Sequence, residues 1–100
     1  MEITKVVFNG RAYGEVQLFT DDTKAGKMSI AAIDAKLTVF HTEVFPQFEG
    51  HGFAKLLLDR LVSYAKEKDL KIIRLCPYVN LQFRRHPNEF ADVWSQDWHQ

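Results

Sequence analysis

The stretch Gln47–Ala54, with the sequence QFEGHGFA, lies between a run rich in β-branched residues and an amphipathic segment. Its two glycines, Gly50 and Gly52, stand where a strand should give way to a helix. Glycine lets the backbone approach a ligand closely, and the unpaired N–H groups at a helix start attract an anion. The stretch therefore predicts a phosphate-binding loop at a strand-to-helix junction.

The segments on either side of this loop predict a β-α-β unit. Residues 37–44 form a strand before the loop, residues 53–68 an amphipathic helix after it, and residues 70–75 a buried strand. The helix is predicted from apolar residues at helical spacing, namely Phe53, Leu57, Leu61 and Tyr64. Two strands joined by one helix are parallel, so the strand ending at 44 should lie parallel to the strand ending at 75.

The N-terminal half predicts antiparallel strands. Residues 3–8 and 12–19 are rich in Val, Ile, Tyr and Phe, and Asn9–Gly10 between them favours a two-residue hairpin turn. Residues 21–26, which end in a glycine, predict a polar turn, and a third strand follows over 28–33. With the strand before the loop, these segments make a four-stranded meander.

The strand before the loop has a fault in its alternation. Leu37 and Val39 share one face, yet His41 and Glu43 continue that face with polar side chains. A phase change of this kind predicts a β-bulge near Phe40, and bulges often lie beside active sites. The alternative is a strand end that simply emerges into solvent.

The C-terminal part predicts two helices. Pro77 suits the first position of a helix over 78–86, which Pro87 would stop. The tail over 89–100 predicts a last helix covering the sheet, from apolar residues at roughly helical spacing: Phe90, Val93, Trp94 and Trp98. The predicted fold class is α/β (α+β), an antiparallel strand meander followed by a β-α-β unit and C-terminal helices.

Size and composition limit the class of protein. A chain of 100 residues supports one domain, spanning 1–100, and equal numbers of acidic and basic side chains argue against a general nucleic-acid binder. The single cysteine, Cys76, excludes an internal disulfide framework and fits a reducing compartment. Neither a signal peptide nor a membrane-spanning run is visible. We expect a cytoplasmic monomer or weak homodimer that uses no metal, nucleic acid or membrane.

Three kinds of phosphate loop can be compared with the glycine stretch. A nucleoside triphosphate loop needs Lys and then Ser or Thr after its second glycine, but Gly52 is followed by Phe53. A dinucleotide loop needs a third small residue where Lys55 stands. The remaining interpretation is a loop that holds a pyrophosphate through backbone N–H groups alone. The alternative is that the loop is only a turn in a structural α+β domain.

The pattern of Gln47, Gly50 and Gly52 closely resembles the acetyl-coenzyme A loop of the GNAT superfamily of N-acetyltransferases. The sequences HTEV before the loop, CPYV after the next strand and RHP beyond it resemble those of a very short subgroup of GNAT-like proteins, which lack the N-terminal helices of ordinary members. The resemblance covers most of the chain. It departs at Glu49, where the loop is usually basic, and we expect this side chain to face solvent.

The resemblance implies a minimal GNAT-like fold and acetyl-CoA as co-substrate. In this family the strand before the loop splays from its parallel neighbour, and the pantetheine arm lies in the opening. The residues that the resemblance assigns to the cofactor are Val44, Gln47, Phe48, Glu49, Gly50, His51, Gly52, Phe53, Ala54 and Asn80. The implied function is acetyl transfer to an amine of unknown identity; the alternative is a coenzyme A sensor or interaction module with little catalysis.

His41 and Glu43 are the candidates for general base, because the acceptor amine must lose a proton. The unperturbed pKa of a histidine, about 6.5, suits this task without tuning, whereas a glutamate needs its pKa raised by burial. The alternative for each is an ordinary polar residue on a partly exposed strand.

Cys76 and Tyr78 are the candidates for handling the acetyl group and the leaving sulfur. A thiol at a helix start ionises more readily, which would make Cys76 a nucleophile or a donor to the leaving sulfur. The alternative is a small buried apolar residue. Tyr78 resembles a residue after the fifth strand that contacts the cofactor's sulfur in many family members, which implies a proton donor; the alternative is a packing residue. Arg84 and Arg85 either approach the adenosine phosphates or form a solvated turn.

Overall fold

The computed structural model describes residues 1–95, which form a five-stranded sheet and two α-helices. The strands are β1 (Glu2–Phe8), β2 (Tyr13–Thr20), β3 (Thr23–Ile33), β4 (Lys36–Val44) and β5 (Lys71–Arg74). The helices are α1 (Phe53–Glu67) and α2 (Pro77–Arg85), and short 3₁₀ turns occupy Pro46–Phe48 and Ala91–Val93.

The strands lie in the sheet in the order β1-β2-β3-β4-β5. Neighbours from β1 to β4 are antiparallel, and β5 is parallel to β4. The predicted meander and β-α-β unit are therefore confirmed. Helix α1 crosses β1 to β4, and α2 lies on β4 and β5.

Both helices cover the same face of the sheet. Phe8 of β1 meets Tyr64 of α1, with ring centroids 6.0 Å apart. At the other edge Arg74 of β5, on the same face as buried Ile72, lies under Phe83 of α2. The core of α1 consists of Phe53, Leu57, Leu58, Leu61, Val62 and Ala65, as its helical periodicity predicts.

Two predictions about the turns were wrong. Asn9–Gly10 is not a two-residue turn, because the β1–β2 connection takes residues 9–12. A type I′ turn needs two residues with positive φ, and in this connection only Gly10 has one. Gly26 is not in a turn but buried inside β3. The β2–β3 turn is made by Asp21 and Asp22, both with positive φ.

The predicted bulge near Phe40 is confirmed. Ser29 of β3 pairs with His41, whereas the next residue, Ile30, pairs with Val39, so Phe40 is the extra residue of β4. A bulge moves the following residues to the opposite faces of the strand.

Because of this bulge, the last residues of β4 face differently from what simple alternation predicts. Thr42 and Val44 continue the helix-covered face and are half-buried, and Val44 packs against the core. His41 and Glu43 are exposed on the other face. The bulge therefore separates the two candidate bases from the helix side.

The predicted helix over 89–100 is wrong as far as residue 95. Phe90 stacks on Phe83 with centroids 4.5 Å apart, a 3₁₀ turn follows, and Trp94 forms a single parallel bridge to Ile72. The aromatic residues pack on α2 and the edge of β5, so their spacing does not require a helix. Trp98 lies outside the described residues.

Candidate active site

The glycine loop has the geometry that its sequence predicts. Gly50 has φ +86° and Gly52 φ +74°, and Gly52 is the N-cap of α1. A Cβ at either position would meet no atom within 4 Å. Glycine is therefore needed here for its backbone conformation, not for lack of space.

The N-terminus of α1 is open to an anion. Gly52 offers no side-chain cap, and the first turn holds no acidic residue. The only charge there is Lys55, whose Nζ lies 2.6 Å from a carboxylate oxygen of Asp59 in the next turn. The hydrogen bond that the Lys55 ammonium donates to Asp59 raises the pKa of Lys55, which stays cationic. Uncapped N–H groups and a nearby cation fit the pyrophosphate of acetyl-CoA.

Strand β4 continues past the end of β5. The parallel pairing stops at Val39 and Arg74, where the Cys76 N–H donates to the Val39 carbonyl at 2.9 Å. On its other side, β4 remains paired with β3 as far as Val44. Beyond Val39, β4 has no strand beside it on the β5 side within residues 1–95, and we call this place between the end of β4 and the start of α2 the gap.

Backbone groups of β4 face this gap. The Phe45 N–H donates to the Ala25 carbonyl of β3 at 2.9 Å. In an antiparallel ladder, residues alternate between bonding to the partner and facing away from it. The N–H and C=O groups of Thr42 and Val44 therefore point to the side where β5 has ended. The family resemblance predicts a splay of β4 from β5 here, and backbone groups that point past the end of β5 suit a pantetheine arm.

Cys76 lies at the carboxyl end of β5 and is the N-cap of α2, as predicted. It is buried, and its Sγ lies 3.1 Å from Thr42 Oγ1. Thr42 was not among the predicted site residues, because His41 and Glu43 were chosen from simple alternation although the bulge itself was predicted. The bulge at Phe40 brings the threonine to the thiol.

Tyr78 is half-buried in the first turn of α2. Burial raises the pKa of its phenol, and Asp59 and Cys76 add to this effect while Lys55 opposes it. The hydroxyl therefore stays protonated near neutral pH. A protonated phenol close to Cys76 can donate to a developing thiolate.

Asn80 lies one turn further along α2, with its N–H donating to the Cys76 carbonyl at 2.9 Å. Its side-chain oxygen accepts from an Arg74 nitrogen at 3.3 Å. The Arg74 guanidinium is buried and stacks 4.2 Å from the Trp94 ring centroid, and burial lowers its pKa, with Arg84 adding to the effect. Because arginine only donates, the amide NH₂ of Asn80 is directed away from it.

The two candidate bases are not brought to the thiol. His41 and Glu43 are exposed on the uncovered face of the sheet, whereas Thr42 between them contacts Cys76. They nevertheless belong to the segment of β4 that borders the gap. Their position suits a proton acceptor for an amine that approaches from the uncovered face.

The remaining loop residues lie at the surface. Glu49 is exposed, as predicted. Gln47 and His51 are exposed as well, and with Phe48 and Phe53 they border a cleft of about 550 Å³ that also includes Glu2 and Asp21. The Met1 ammonium lies 3.8 Å from the Glu2 carboxylate and 3.1 Å from the Asp21 carboxylate. Arg84 and Arg85 are exposed at the end of α2.

Two kinds of feature are absent from residues 1–95. No group of three or more His, Cys, Asp or Glu side chains in this part of the chain is placed to hold a metal ion. None of its helices has the length and apolar character needed to cross a membrane.

Solved structures share this fold. The ribosomal-protein-alanine N-acetyltransferase of Brucella melitensis biovar Abortus 2308 is 23% identical with a TM-score of 0.64, and the match covers 90% of this chain and 67% of that one. A GCN5-like protein of Staphylococcus aureus is 22% identical with a TM-score of 0.63, over 96% and 92% of the two chains.

A third structure, the ribosomal-protein-S18-alanine N-acetyltransferase of Escherichia coli, is 19% identical with a TM-score of 0.62 over 66% of this chain. The match spans only 43% of that enzyme. A search of curated proteins gave no significant match. The sequence profile described as GCN5-related N-acetyl-transferase matches residues 15–93. This match covers most of the chain, which therefore belongs to the GCN5-related N-acetyltransferase family.

Proposed function

We propose that this protein is an acetyl-CoA-dependent N-acetyltransferase that moves an acetyl group to an amine. One observation carries the proposal: β4 continues past β5 beside the Cys76–Thr42 pair, and the uncapped start of α1 lies near enough to α2 for Lys55 and Asp59 to act on Tyr78. The gap offers backbone groups to a pantetheine arm and helix N–H groups to a pyrophosphate. We propose that the single domain acts in the cytoplasm, where Cys76 stays reduced, as a monomer or weak homodimer.

In this proposal the loop residues 47–54 hold the pyrophosphate through their backbone N–H groups. Val44 and Thr42 hydrogen-bond the pantetheine arm through the backbone groups that face the gap. The NH₂ group of Asn80 is the donor on the α2 side of the gap. Acetyl-CoA supplies the activated thioester, so the protein needs to orient the two substrates and move protons.

The transfer requires a neutral amine and a stabilised leaving thiolate. His41 or Glu43 takes a proton from the acceptor amine, whose nitrogen attacks the acetyl carbon. The carbon–sulfur bond breaks, and the Tyr78 hydroxyl donates the proton that the thiolate needs. The raised pKa of Tyr78 keeps that proton in place before the reaction.

Cys76 has two possible roles in this scheme. As a nucleophile it accepts the acetyl group first and passes it to the amine; as a donor it only stabilises the leaving sulfur. Thr42 Oγ1 lies 3.1 Å from the thiol and can hold its orientation in either role. Cys76→Ala should abolish turnover and leave acetyl-CoA binding intact. Full acetyl transfer by this variant would end the catalytic proposal for Cys76.

A second candidate function is a coenzyme A sensor with little catalysis. It is favoured by the separation of His41 and Glu43 from the buried thiol by the plane of the sheet. Both functions need the same cofactor site, so only turnover separates them.

Binding is tested by titrating ¹⁵N-labelled protein with acetyl-CoA. We expect amide shifts at Gly50, Gly52, Ala54 and Val44. The amides of Gly10 and Asp34, in turns of the meander, are internal controls. Absence of shifts around the loop would remove both functions.

Turnover is tested by thiol release with polyamines, amino acids and peptides. Two structural neighbours are named for alanine of ribosomal proteins, so the panel includes an α-amine as well as a lysine ε-amine. Acetylated product identifies the enzyme. Binding without product from any acceptor supports the sensor.

A further inference from the structure

The face of the sheet opposite the helices carries most of the large apolar side chains that are exposed in residues 1–95. They come from four different strands, and their side chains lie on the side of the sheet away from the helices. We call this side of the sheet the open face, and its exposed large apolar residues are Ile3, Val7, Tyr13, Ile33 and Phe40. Exposed apolar side chains indicate a binding surface where they adjoin one another, as Tyr13 and Phe40 do here.

Two aromatic residues of the open face adjoin the candidate site. Tyr13 is 62% exposed and Phe40 39%, and their rings stack with centroids 6.4 Å apart. Phe40 is the bulged residue next to His41. The aromatic pair therefore adjoins the segment of β4 that continues past β5.

The open face also has an unpaired negative charge at this point. Glu43 pairs in register with Lys27, but the Lys27 ammonium lies 3.5 Å from Glu15 instead. Glu15 is also held by Lys24 at 2.9 Å. Glu43 has no ion pair or hydrogen bond with any other side chain of residues 1–95 and is exposed. Glu43 follows Phe40 and His41 along the same face of β4. An exposed carboxylate that follows an aromatic pair along a strand is complementary to an ammonium group with an apolar neighbour.

The shape of the open face limits what can bind. The helix side of the gap holds the cofactor in the proposed function, so the acceptor must approach from the open face. This surface is one side of a sheet, without an inserted helix or long loop between β1 and β4. Small molecules are bound in concave pockets, whereas exposed apolar residues that are spread over four adjacent strands suit a longer polypeptide.

We propose that the open face is the docking surface for a polypeptide acceptor whose reactive amine lies next to an aromatic or large apolar residue. The amine contacts Glu43 and His41, and the apolar neighbour packs on Tyr13 and Phe40. This inference rests on the proposed function, because it names the acceptor class of the same site.

The test compares one peptide with two small amines. The probes are the octapeptide AFGSKFGS, which has an α-amine and a lysine each followed by Phe, and alaninamide and n-butylamine, which present the same amines alone. We expect kcat/KM for the peptide to exceed that for either small amine by about tenfold or more.

Variants locate the contact. Tyr13→Ser and Phe40→Ser should each raise the peptide KM about tenfold without changing the KM for acetyl-CoA. Leu81→Ser is the matched control, because Leu81 is 43% exposed on α2, away from the open face. Equal use of the small amines, or an unchanged peptide KM in both variants, would overturn the proposal. So would a stable dimer that Tyr13→Ser dissociates, because a second copy would then occupy the face.

A separate experiment tests the docking surface even if the proposed acetyltransferase function is wrong. Peptide is added to ¹⁵N-labelled protein with coenzyme A present, and amide shifts are mapped. Shifts at Tyr13, Ser29, Phe40 and Glu43 support the surface even where no acetyl transfer occurs. Shifts elsewhere, or none, contradict it whatever the turnover.

Discussion

Gly26 links the packing of the sheet to the candidate site, and its replacement by alanine tests that link. The residue lies in β3 opposite Val44, the last residue of β4. An added Cβ would lie 2.7 Å from the Glu43 carbonyl oxygen and 3.3 Å from Val44 Cα. Ordinary contact begins at 3.4 Å, so the end of β4 must move outward by about 0.7 Å.

The cost of this movement follows from its rigid surroundings. The oxygen belongs to the backbone, and the third neighbour of the added Cβ is the buried side chain of Leu57, at 3.4 Å. Overpacking of this kind costs about 1–3 kcal/mol, and the lower chain entropy of unfolded alanine offsets about 0.4–1 kcal/mol. We therefore expect Gly26→Ala to lower the free energy of unfolding by about 1–2 kcal/mol.

The displaced segment is the part of β4 that faces the gap, so affinity for acetyl-CoA should fall as well. Urea unfolding followed by circular dichroism measures the first effect, and calorimetric titration measures the second. Gly10→Ala is the matched control: its φ of +95° strains alanine, but no atom lies within 4 Å. It should lose about 1 kcal/mol and bind normally. A Gly26→Ala protein with wild-type stability and affinity would refute the argument.

Three further predictions concern the loop, the open face and the core. Gly52→Ala should lower the melting temperature through backbone strain worth about 1 kcal/mol, since φ at Gly52 is +74° and no atom lies within 4 Å of an added Cβ. Gly52→Asn should lower the melting temperature less, because asparagine tolerates a positive φ better than alanine. Equal losses in the two variants would contradict this account. Hydrogen bonds from Gln17 and Lys24 lower the pKa of Glu15 from 4.5 to about 2. The Glu15 carboxylate therefore adds stability that is complete above about pH 4.5 and is lost as the pH falls towards 2. Between pH 2 and 4.5 the free energy of unfolding of Glu15→Gln should change by about 1–2 kcal/mol less than that of the wild type. Urea unfolding at several pH values measures this difference, and the same pH dependence in both proteins would disprove the prediction. Phe83 is fully buried and stacks on Phe90, so Phe83→Ala should cost about 3–5 kcal/mol in urea unfolding, whereas the exposed Phe40→Ala should cost about 1 kcal/mol or less.

The sequence predicts those parts of the fold in which a local pattern coincides with burial. The stripe from Phe53 predicts α1, and the glycine pair predicts the backbone of the loop. The phase fault at Phe40 predicts the bulge, because one extra residue leaves a visible change in alternation. Pattern and packing agree in these elements, so tertiary contacts do not override local preference.

The wrong predictions concern residues whose conformation is decided by packing between distant parts of the chain. Glycine is common in turns, so the sequence places Gly26 in one. The structure needs glycine there for a different reason, since the Glu43 carbonyl oxygen lies 2.7 Å from where a Cβ would be. The aromatic residues of the tail keep a helical spacing, yet Phe90 and Trp94 pack on α2 and Arg74 instead. Thr42 was missed for a related reason, since only the bulge turns it towards Cys76. None of these contacts is visible in one local window of sequence.

The strand order in this sheet has a consequence for how the chain folds. From β1 to β4 each strand pairs with its predecessor in the chain, so each pairing closes only a short loop. The pairing of β4 with β5 is different, because residues 45–70 must first cross the sheet as loop and helix. Contacts between distant parts of a chain form more slowly than local ones. The meander can therefore assemble early as a framework, and the gap that holds the candidate site is completed in the slowest step, when β5 and Cys76 reach β4.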